Sequence, residues 1–413
     1  DEVLCHIIKT SKNYAVGIIK EVLRPSPERQ KSDCPVSDRC GGCAFRNMDY
    51  GLELAAKKDF VQQNLRRIGH IDFDVEDIIG AEDTRFYRNK AEYPVRIENG
   101  SFTAGFYAFK SHRIVPAFSC MLQPPAFSKG LKAFEKWALA SGADSYDEAS
   151  GKGLLRHIYF RKAFATGQIM ACAVINGEQI PDPDLLISLL KDAMPGLQSV
   201  AVNRNKSKTN VILGNETKII WGSEKITDIL LGKKFVISPE SFYQVNHDQC
   251  EKLYACVADF AELAGTETVL DMYCGAGTIG LTLAHRCKAL YGVEIVDSAV
   301  KNARENAAIN GISNAEFLCA DAFDGAKILT EKGVRPDLVI VDPPRKGCQK
   351  ELFDVIDSLK VKKIVYVSCN SATLARDLEI LQHRGYRLKH LKAFDLFPRT
   401  AHVECCSLIV KEQ

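Results

Sequence analysis

The sequence lacks a large charge excess, a long apolar run and the marks of secretion. Its 413 residues have a formal net charge of only +2, so any nucleic-acid partner must be bound by a local basic surface and not by overall charge. No apolar run is long enough to cross a bilayer. The first residues have neither the basic nor the apolar segment of a signal peptide. We therefore expect a cytoplasmic protein with no membrane partner.

Cysteine, in contrast, is plentiful and odd in number, with 15 residues. Without a secretory signal, metal ligation and catalysis are better uses for these thiols than a disulfide framework. Cys34, Cys40 and Cys43 form a compact C-x5-C-x2-C pattern. Three thiolates do not close a tetrahedral site, and we choose Cys120 as the fourth ligand. Spacing does not separate zinc from an iron–sulfur cluster, and reduced cysteines in a small core are the alternative.

The chain divides into three regions by pattern, and together they predict an α/β protein. Residues 1–24 alternate like strands, as either an edge hairpin or part of a small barrel. Residues 25–235 hold the cysteines, a helical pattern over 50–68 and short strand patterns, which predict a mixed, mostly antiparallel domain. In residues 236–413 strands and helices alternate, which is typical of a doubly wound, Rossmann-like sheet.

The prediction of a mostly antiparallel middle domain depends on three strand patterns, over residues 93–97, 158–160 and 211–213.

A glycine-rich loop opens the third region. Gly275-Ala-Gly277-Thr-Ile-Gly280 follows an apolar strand pattern and begins a helical one, and Glu294 ends the next strand. A dinucleotide and S-adenosylmethionine compete as the ligand. Asp271 before the glycines favours the latter, because a carboxylate suits an ammonium and a sulfonium better than a pyrophosphate. Asp342-Pro-Pro-Arg345, at the end of a later strand, points the same way.

Two segments near the end of the chain suit covalent catalysis on a pyrimidine. Cys369, in Val-Ser-Cys-Asn, ends an apolar strand pattern, so its thiol should open at the carboxyl edge of the sheet. His402 and Glu404 are two apart in a strand-like run and should face the same side. A thiolate adding at C6 of uracil activates C5, and a carboxylate can then remove the C5 proton. Taken alone, Cys369 is better explained as a small core residue and Glu404 as a surface carboxylate.

With these residues identified, the chain resembles the RNA uracil-5-methyltransferase family, and within it the bacterial 23S ribosomal RNA branch. The motifs that carry the resemblance span nearly the whole chain: Pro25-Ser-Pro-Glu-Arg29, Cys-x5-Cys-Gly-Gly-Cys, Tyr87-Arg-Asn-Lys90, Ser241-Phe-Tyr-Gln-Val-Asn246, Asp271-Met-Tyr-Cys-Gly-Ala-Gly277, Asp342-Pro-Pro-Arg-Lys-Gly347, Ser368-Cys-Asn370 and His402-Val-Glu404.

The resemblance implies a fold, cofactors and roles. It implies a class I S-adenosylmethionine methyltransferase domain, and an N-terminal OB-like (TRAM) barrel of which only the second half fits in residues 1–24. It implies Cys369 as nucleophile and Glu404 as base. It further implies that S-adenosylmethionine is held by Gln244, Tyr273, Glu294 and Asp342, and that a [4Fe–4S] cluster is held by Cys34, Cys40, Cys43 and Cys120.

Two basic stretches are candidates for RNA contact by a monomeric enzyme. Cations suit phosphates, and aromatic rings can stack on splayed bases. The first stretch combines Arg85, Arg88, Lys90 and Arg96 with Phe86, Tyr87 and Tyr93, and the second contains Arg204, Lys206 and Lys208.

Four alternatives stay open. A transfer-RNA T-loop uridine is the second candidate substrate, and a non-catalytic RNA-binding factor could keep the same fold. A cytosine-5-methyltransferase would need a second cysteine beside the Asp-Pro-Pro turn, where Cys348 does not stand at the expected position. A nicotinamide dehydrogenase explains neither Cys369 nor the cysteine pattern.

Overall fold

The computed structural model describes residues 1–12 and 14–412. The strands, in chain order, are β1 (Glu2–Thr10), β2 (Ala15–Arg24), β3 (Ile78–Ile79), β4 (Lys90–Glu98), β5 (Ser101–Tyr107), β6 (Ile114–Pro116), β7 (Leu155–Lys162), β8 (Ile169–Ile175), β9 (Leu197–Arg204), β10 (Glu216–Gly222), β11 (Ile226–Leu230), β12 (Lys233–Ile237), β13 (Thr268–Met272), β14 (Ala289–Glu294), β15 (Ala315–Cys319), β16 (Leu338–Val341), β17 (Lys363–Ser368), β18 (Tyr386–Phe394) and β19 (Glu404–Lys411). The α-helices are α1 (Tyr50–Arg67), α2 (Pro125–Ser141), α3 (Pro183–Ala193), α4 (His247–Ala261), α5 (Thr278–Leu283), α6 (Asp297–Ile309), α7 (Ala322–Glu331), α8 (Lys350–Ser358) and α9 (Ser371–Gln382). Among these residues no helix is both long and apolar enough to cross a membrane.

The C-terminal sheet has the strand order β15-β14-β13-β16-β17-β19-β18-β3. Its first five strands are parallel, as the alternation of strand and helix patterns predicts. The four side chains of β16 are all buried, which is typical of a strand covered by helices on both faces. The Rossmann-like fold is therefore confirmed, and it aligns the carboxyl ends of the parallel strands at one edge.

Strand β19 reverses this direction. It pairs antiparallel with β17, so that Ser368 lies opposite Cys405, and β18 pairs antiparallel on its other side. Cys405 and Cys406 are buried in the core. Because β19 runs the opposite way, its first residue, Glu404, lies at the same edge as the carboxyl end of β17.

Helix α1 packs on the C-terminal sheet although it lies within the predicted middle region. Asp49 accepts the backbone N–H of Gly51 at 2.8 Å and begins the helix, which ends at Arg67, one residue before the predicted end. Val61 and Leu65 are completely buried in the core of the C-terminal sheet. Strand β3 also joins that sheet, beside β18. Residues 50–79 belong to the predicted middle region in sequence. In the structure α1 and β3 pack with the C-terminal sheet, because the apolar face of α1 completes its core.

The middle region forms a second sheet, with the order β10-β9-β8-β7-β4-β5-β6. Its neighbours are antiparallel except the pair β8 and β9. The predicted strands 93–97 and 158–160 lie within β4 and β7. Helices α2 and α3, which the strand patterns around them concealed, cover the sheet with side chains such as Trp137 and Leu190.

The predicted strand at 211–213 is wrong. The side-chain amide of Asn205 donates to the carbonyl of Val211 at 2.6 Å and to that of Ile212 at 2.8 Å. A side chain, and not a neighbouring strand, thus satisfies these carbonyls, and the segment remains a loop.

The first 24 residues contain the predicted alternating strands. Strands β1 and β2 form an antiparallel pair, and the large apolar side chains Leu4, Ile8 and Ile19 are more than half exposed. These strands are compatible with part of a barrel.

Candidate active site

The glycine-rich loop connects the carboxyl end of β13 to the start of α5. Gly275 and Gly277 have φ angles of 54° and 77°, a region open to glycine without a Cβ clash. Glu294, the last residue of β14, accepts the backbone N–H of Gly275 at 3.1 Å and that of Val296 at 2.9 Å. Each carboxylate oxygen keeps further acceptor capacity. Glu294 can therefore hold the loop and still receive hydrogen bonds from a ligand.

Asp271 lies beneath this loop and does not line the cleft, in contrast to the expectation that it faces the ligand. Its Oδ2 accepts the backbone N–H of Gly280 at 2.9 Å, whereas Oδ1 has no partner among the described residues. Burial first, and then the charges of Asp342 and Glu294, raise the pKa of Asp271 to about 8. A cation in the cleft would relieve this repulsion, which fits a cofactor with an ammonium and a sulfonium.

Gly280 makes the contact with Asp271 possible. A Cβ at this position would lie 2.8 Å from Oδ2 of Asp271 and 3.0 Å from the side chain of Leu290. The third glycine therefore serves close packing between helix and strand, while Gly275 has open space where a Cβ would point.

Cys369 and Asp342 follow neighbouring parallel strands, β17 and β16. Cys369 is partly buried, and burial raises the pKa of Asp342 to about 7. The side-chain amide of Asn370 donates to the backbone carbonyl of Arg345 at 3.1 Å. This bond ties the Asp-Pro-Pro-Arg turn to the segment that carries the thiol.

Glu404 lies beside Cys369 because of the antiparallel register of β17 and β19. Ser368 is opposite Cys405, so the next pair at this edge of the sheet is Cys369 and Glu404. Glu404 is 3% exposed, so its carboxyl group is held away from bulk water. The structure thus brings together the two residues for which sequence reasoning predicts complementary roles.

The charges in this site oppose ionisation of both groups. Burial, followed by the charges of Glu404 and Asp342, raises the pKa of the Cys369 thiol to about 11. Burial and the charge of Asp342 raise the pKa of Glu404 well above its ordinary value. Arg345 acts in the opposite sense on the pKa of both groups. Arg345 therefore favours the thiolate and the carboxylate.

His402 differs from its predicted place. Strand β19 begins at Glu404, so His402 lies in the preceding loop and not in a strand. Its ring packs edge-on against Phe397, with centroids 5.8 Å apart, and its Nε2 is 3.2 Å from Nη2 of Arg345. Burial, and next the charge of Arg345, lower the pKa of His402.

One cleft connects these elements and has a volume of ≈ 1660 Å³. This volume exceeds the usual range of small-molecule pockets, so the cleft has room for a cofactor and a nucleotide together. The predicted catalytic and cofactor-binding residues all line it: Gln244, Tyr273, Glu294, Asp342, Cys369 and Glu404.

Residues 241–246 form one wall of the cleft. Phe242 is 72% exposed there, whereas Tyr243 is buried and its hydroxyl donates to Asp228 at 3.3 Å. Tyr243 therefore packs in the core, whereas the ring of Phe242 is accessible from the cleft. The carbonyl of Gln244 accepts the side-chain amide of Asn89 at 2.7 Å, which leaves the Gln244 side chain for the cleft.

The four predicted metal-ligating cysteines line a second cavity, of ≈ 590 Å³: Cys34, Cys40, Cys43 and Cys120. Burial first, and then the charge of Cys120, raise the pKa of Cys43 to about 12, so these sulfurs lie close enough to repel one another. Arg46 also lines this cavity, and its two buried Nη groups have no partner among the described residues. The Nε of Arg46 donates to Asp33 at 2.7 Å, so only its two Nη groups remain to donate to an anionic cluster beside the four cysteines.

A single metal ion finds no ready site. Within residues 1–12 and 14–412, no group of three or more His, Cys, Asp and Glu side chains is arranged so that it could hold one. That the four cysteines bind a cluster is therefore a proposal.

The first basic stretch combines accessible cations with buried rings. Arg85 and Arg96 are exposed, but Tyr87 and Tyr93 are only 6% and 1% exposed. Tyr87 donates its hydroxyl to the carbonyl of Pro398 at 3.0 Å, and Tyr93 packs in the core of the second sheet. The prediction that these two rings stack on bases is therefore wrong.

The second basic stretch is largely paired. Arg204 is bonded to Glu178 at 2.6 Å and to Glu216 at 2.9 Å, and Lys206 is also bonded to Glu178. Exposed Lys208 lies beside them. These neighbouring carboxylates offset much of the positive charge that a phosphate would meet.

Comparisons with known proteins agree with this geometry. Residues 194–412 match the family model of tRNA (uracil-5-)-methyltransferases. An RNA methyltransferase of Clostridium tetani is 42% identical over 99% of this chain and 89% of its own, and one of Halalkalibacterium halodurans is 42% identical over 98% and 88%. The crystal structure of the Pyrococcus abyssi tRNA (uracil-54, C5)-methyltransferase with S-adenosyl-L-homocysteine superposes with a TM-score of 0.80 at 28% identity, covering 99% of this chain and 93% of that one.

The family match covers the C-terminal sheet and its cleft, and the relatives extend the likeness over almost the whole chain. The chain belongs to the tRNA (uracil-5-)-methyltransferase family, and it is an S-adenosylmethionine-dependent RNA (uracil-5-)-methyltransferase.

Proposed function

We propose that the enzyme methylates C5 of a uridine in 23S ribosomal RNA through a covalent bond between Sγ of Cys369 and C6 of the base. One observation carries the proposal: the pairing of Ser368 with Cys405 brings Cys369 and Glu404 to one edge of the sheet, and both residues line the cleft that also contains Asp342. The choice of 23S RNA depends on the motif set as a whole, because it resembles that branch of the family.

Cys369 and Glu404 each carry out one part of the proposed reaction on the base. The Cys369 thiolate adds to C6, and the electrons of the C5–C6 double bond make C5 nucleophilic. S-adenosylmethionine supplies an electrophilic methyl group, and we infer that Gln244, Tyr273, Glu294 and Asp342 hold it. After C5 has gained the methyl group, Glu404 takes the C5 proton. The electron pair of that C–H bond restores the double bond, and the thiolate leaves C6.

We also infer the form of the RNA substrate and the compartment in which the enzyme acts. The thiol is partly buried, so a stacked base cannot reach it without leaving its helix. A single-stranded RNA loop is therefore the expected partner. We infer that the enzyme acts in the cytoplasm and as a monomer; the cysteines of the described residues, which form no disulfide, support the first inference.

A transfer-RNA uridine is the second candidate substrate. The solved enzyme that superposes over 99% of this chain is a transfer-RNA methyltransferase. The alternative cytosine-5 chemistry has less support, because Cys348 is buried with its thiol 3.6 Å from the hydroxyl of Tyr366 and does not line the cleft.

Mass mapping of methyluridine decides between the substrates. In a strain that lacks the gene, a 23S ribosomal RNA fragment should lose one methyl group at a uridine. The wild-type gene should restore the methyl group, and a Cys369→Ala gene should not. Loss from transfer RNA alone would move the function to the second candidate, and no loss from any RNA would refute the proposal.

We propose further that Cys34, Cys40, Cys43 and Cys120 hold a [4Fe–4S] cluster. The shared cavity and the two buried Nη groups of Arg46, which have no partner among the described residues, support this choice. The hydrogen bonds that Arg46 can donate suit the sulfurs of an anionic cluster.

Anaerobically purified protein should therefore be brown and contain about four irons per chain. Cys43→Ser should lose the colour and the iron, whereas Cys5→Ser, a change at an exposed cysteine of the N-terminal strands, should retain both. Elemental analysis and visible absorption spectra provide the measurement. Colourless protein with stoichiometric zinc would replace iron by zinc in the proposal.

A further inference from the structure

The turn that precedes Glu404, at residues 397–400, is held by distant parts of the chain. The backbone N–H of Thr400 donates to the carbonyl of Phe397 at 3.1 Å and closes the turn. Within it, Arg399 has a φ of 69°, a left-handed conformation that is uncommon outside glycine. Such a backbone persists only where its surroundings hold it.

The cysteine loop, residues 34–46, holds one side of Arg399. The backbone N–H groups of Ala44 and Phe45 donate to the carbonyl of Arg399 at 2.9 and 3.1 Å. Ala44 follows Cys43 directly, and Cys43 lines the cysteine cavity. The wall of that cavity is therefore bonded to the turn before Glu404.

Helix α1 holds the other side. Oε1 of Glu53 accepts the backbone N–H of Arg399 at 2.7 Å and also accepts Nζ of Lys57 at 2.7 Å. Lys57 donates in addition to Asp395 at 2.6 Å and to the carbonyl of Phe397 at 3.3 Å. Glu53, Lys57 and Asp395 are at most 2% exposed, so this network is shielded from water.

The guanidinium of Arg399 adds further contacts, among them an ion pair between its Nη1 and Oε2 of buried Glu53 at 3.4 Å. It donates to the carbonyl of Met48 at 2.9 Å, and its Nη2 is 3.4 Å from Oγ1 of Thr84. The donor, the acceptor and the side chain of one residue are thus all bonded to the segment that precedes β4. Cys369 differs, because it directly follows β17, which also pairs with β16 on its other side.

We propose that the main chain of Arg399 is a positioning joint through which the cysteine loop and α1 hold Glu404 beside Cys369. The inference rests on the proposed role of Glu404 as the base. It predicts that the cysteine loop acts on removal of the C5 proton and not on addition of the thiol. A base displaced by 1 Å can lower the rate on the order of 100-fold.

A pair of variants separates the backbone of Arg399 from its side chain. Arg399→Pro removes the N–H and holds φ near −65°, whereas Arg399→Gly keeps the N–H, the carbonyl and the positive φ. Arg399→Pro should lower turnover on uridine RNA on the order of 100-fold and accumulate a methylated protein–RNA adduct. Its capture of 5-fluorouridine RNA, which needs no base, should stay close to wild type. Arg399→Gly should lose much less turnover.

Two different outcomes would refute two different parts of the proposal. If wild-type enzyme does not capture 5-fluorouridine RNA, the proposed chemistry fails and the joint with it. If wild-type enzyme captures it but Arg399→Pro slows without adduct, or both variants behave alike, the joint alone is refuted.

A second pair tests the link from the cysteine loop, and it decides the matter if Arg399→Pro does not fold. Ala44→Pro removes the 2.9 Å donor to Arg399, and Ala44→Gly keeps it. Ala44→Pro should accumulate the same adduct while its iron content matches that of Ala44→Gly. Equal turnover of the two variants without adduct would overturn the proposal.

Discussion

Replacing Cys369 by alanine should abolish methylation of RNA and covalent capture of 5-fluorouridine RNA. Cys369 follows β17 at the edge where β19 begins with Glu404, and without addition of its thiolate at C6 the C5 carbon cannot accept a methyl group. Loss of a nucleophile of this kind lowers turnover by about 10⁴-fold or more. Transfer of labelled methyl groups and denaturing gels of the RNA complex measure the two effects.

Cys348→Ala is the matched control, since Cys348 follows the Asp-Pro-Pro turn but is buried outside the cleft. It should retain both activities. In the wild type, capture should become faster as pH rises, about tenfold per unit, because a thiol with a pKa near 11 is mostly protonated at neutral pH. Methylation by Cys369→Ala protein, or a capture rate that falls with increasing pH, would contradict the mechanism.

Glu404→Gln should have the second large effect, and of a different kind. Glutamine keeps the size of the side chain but cannot take the C5 proton, so the reaction should stop after methyl transfer. Turnover should fall by roughly 10²- to 10⁴-fold, and a methylated adduct with ordinary uridine RNA should accumulate on denaturing gels.

Glu331→Gln, a change of the same chemistry on the exposed end of α7, should turn over like the wild type and leave no adduct. A Glu404→Gln enzyme that turns over normally would remove Glu404 from the role of base. A Glu404→Gln enzyme that turns over slowly without a trapped adduct would show that Glu404 acts before methyl transfer.

Patterns within short stretches of the sequence predicted much of the C-terminal sheet. The strands β13, β14, β16 and β17 carry apolar runs that only a sheet covered on both faces can bury, and the glycine-rich loop follows the first of them. The carboxyl edge of a parallel sheet is where its loops converge. For this reason Glu294 and Asp342 could be assigned to one site from the sequence, whereas Tyr273 was assigned to it by the family resemblance.

Features that depend on distant partners could not be predicted in this way. Helices α2 and α3 lie among strand patterns, and only the sheet beneath them gives their apolar faces a partner. The buried rings of Tyr87 and Tyr93 look like accessible aromatic residues in the sequence, because the hydroxyl partner of Tyr87 is a carbonyl more than 300 residues away.

The sequence alone determined the chemistry that this chain can attempt, since a thiol, a carboxylate and a cofactor loop are properties of residue types and short spacings. Tertiary structure alone decided that Glu404 stands beside Cys369, because the direction of β19 depends on pairing with β17 and not on any local pattern. It also decided that the turn before Glu404 is held by Ala44, Phe45 and Glu53, since hydrogen bonds between such distant segments form only when the folded core brings them together.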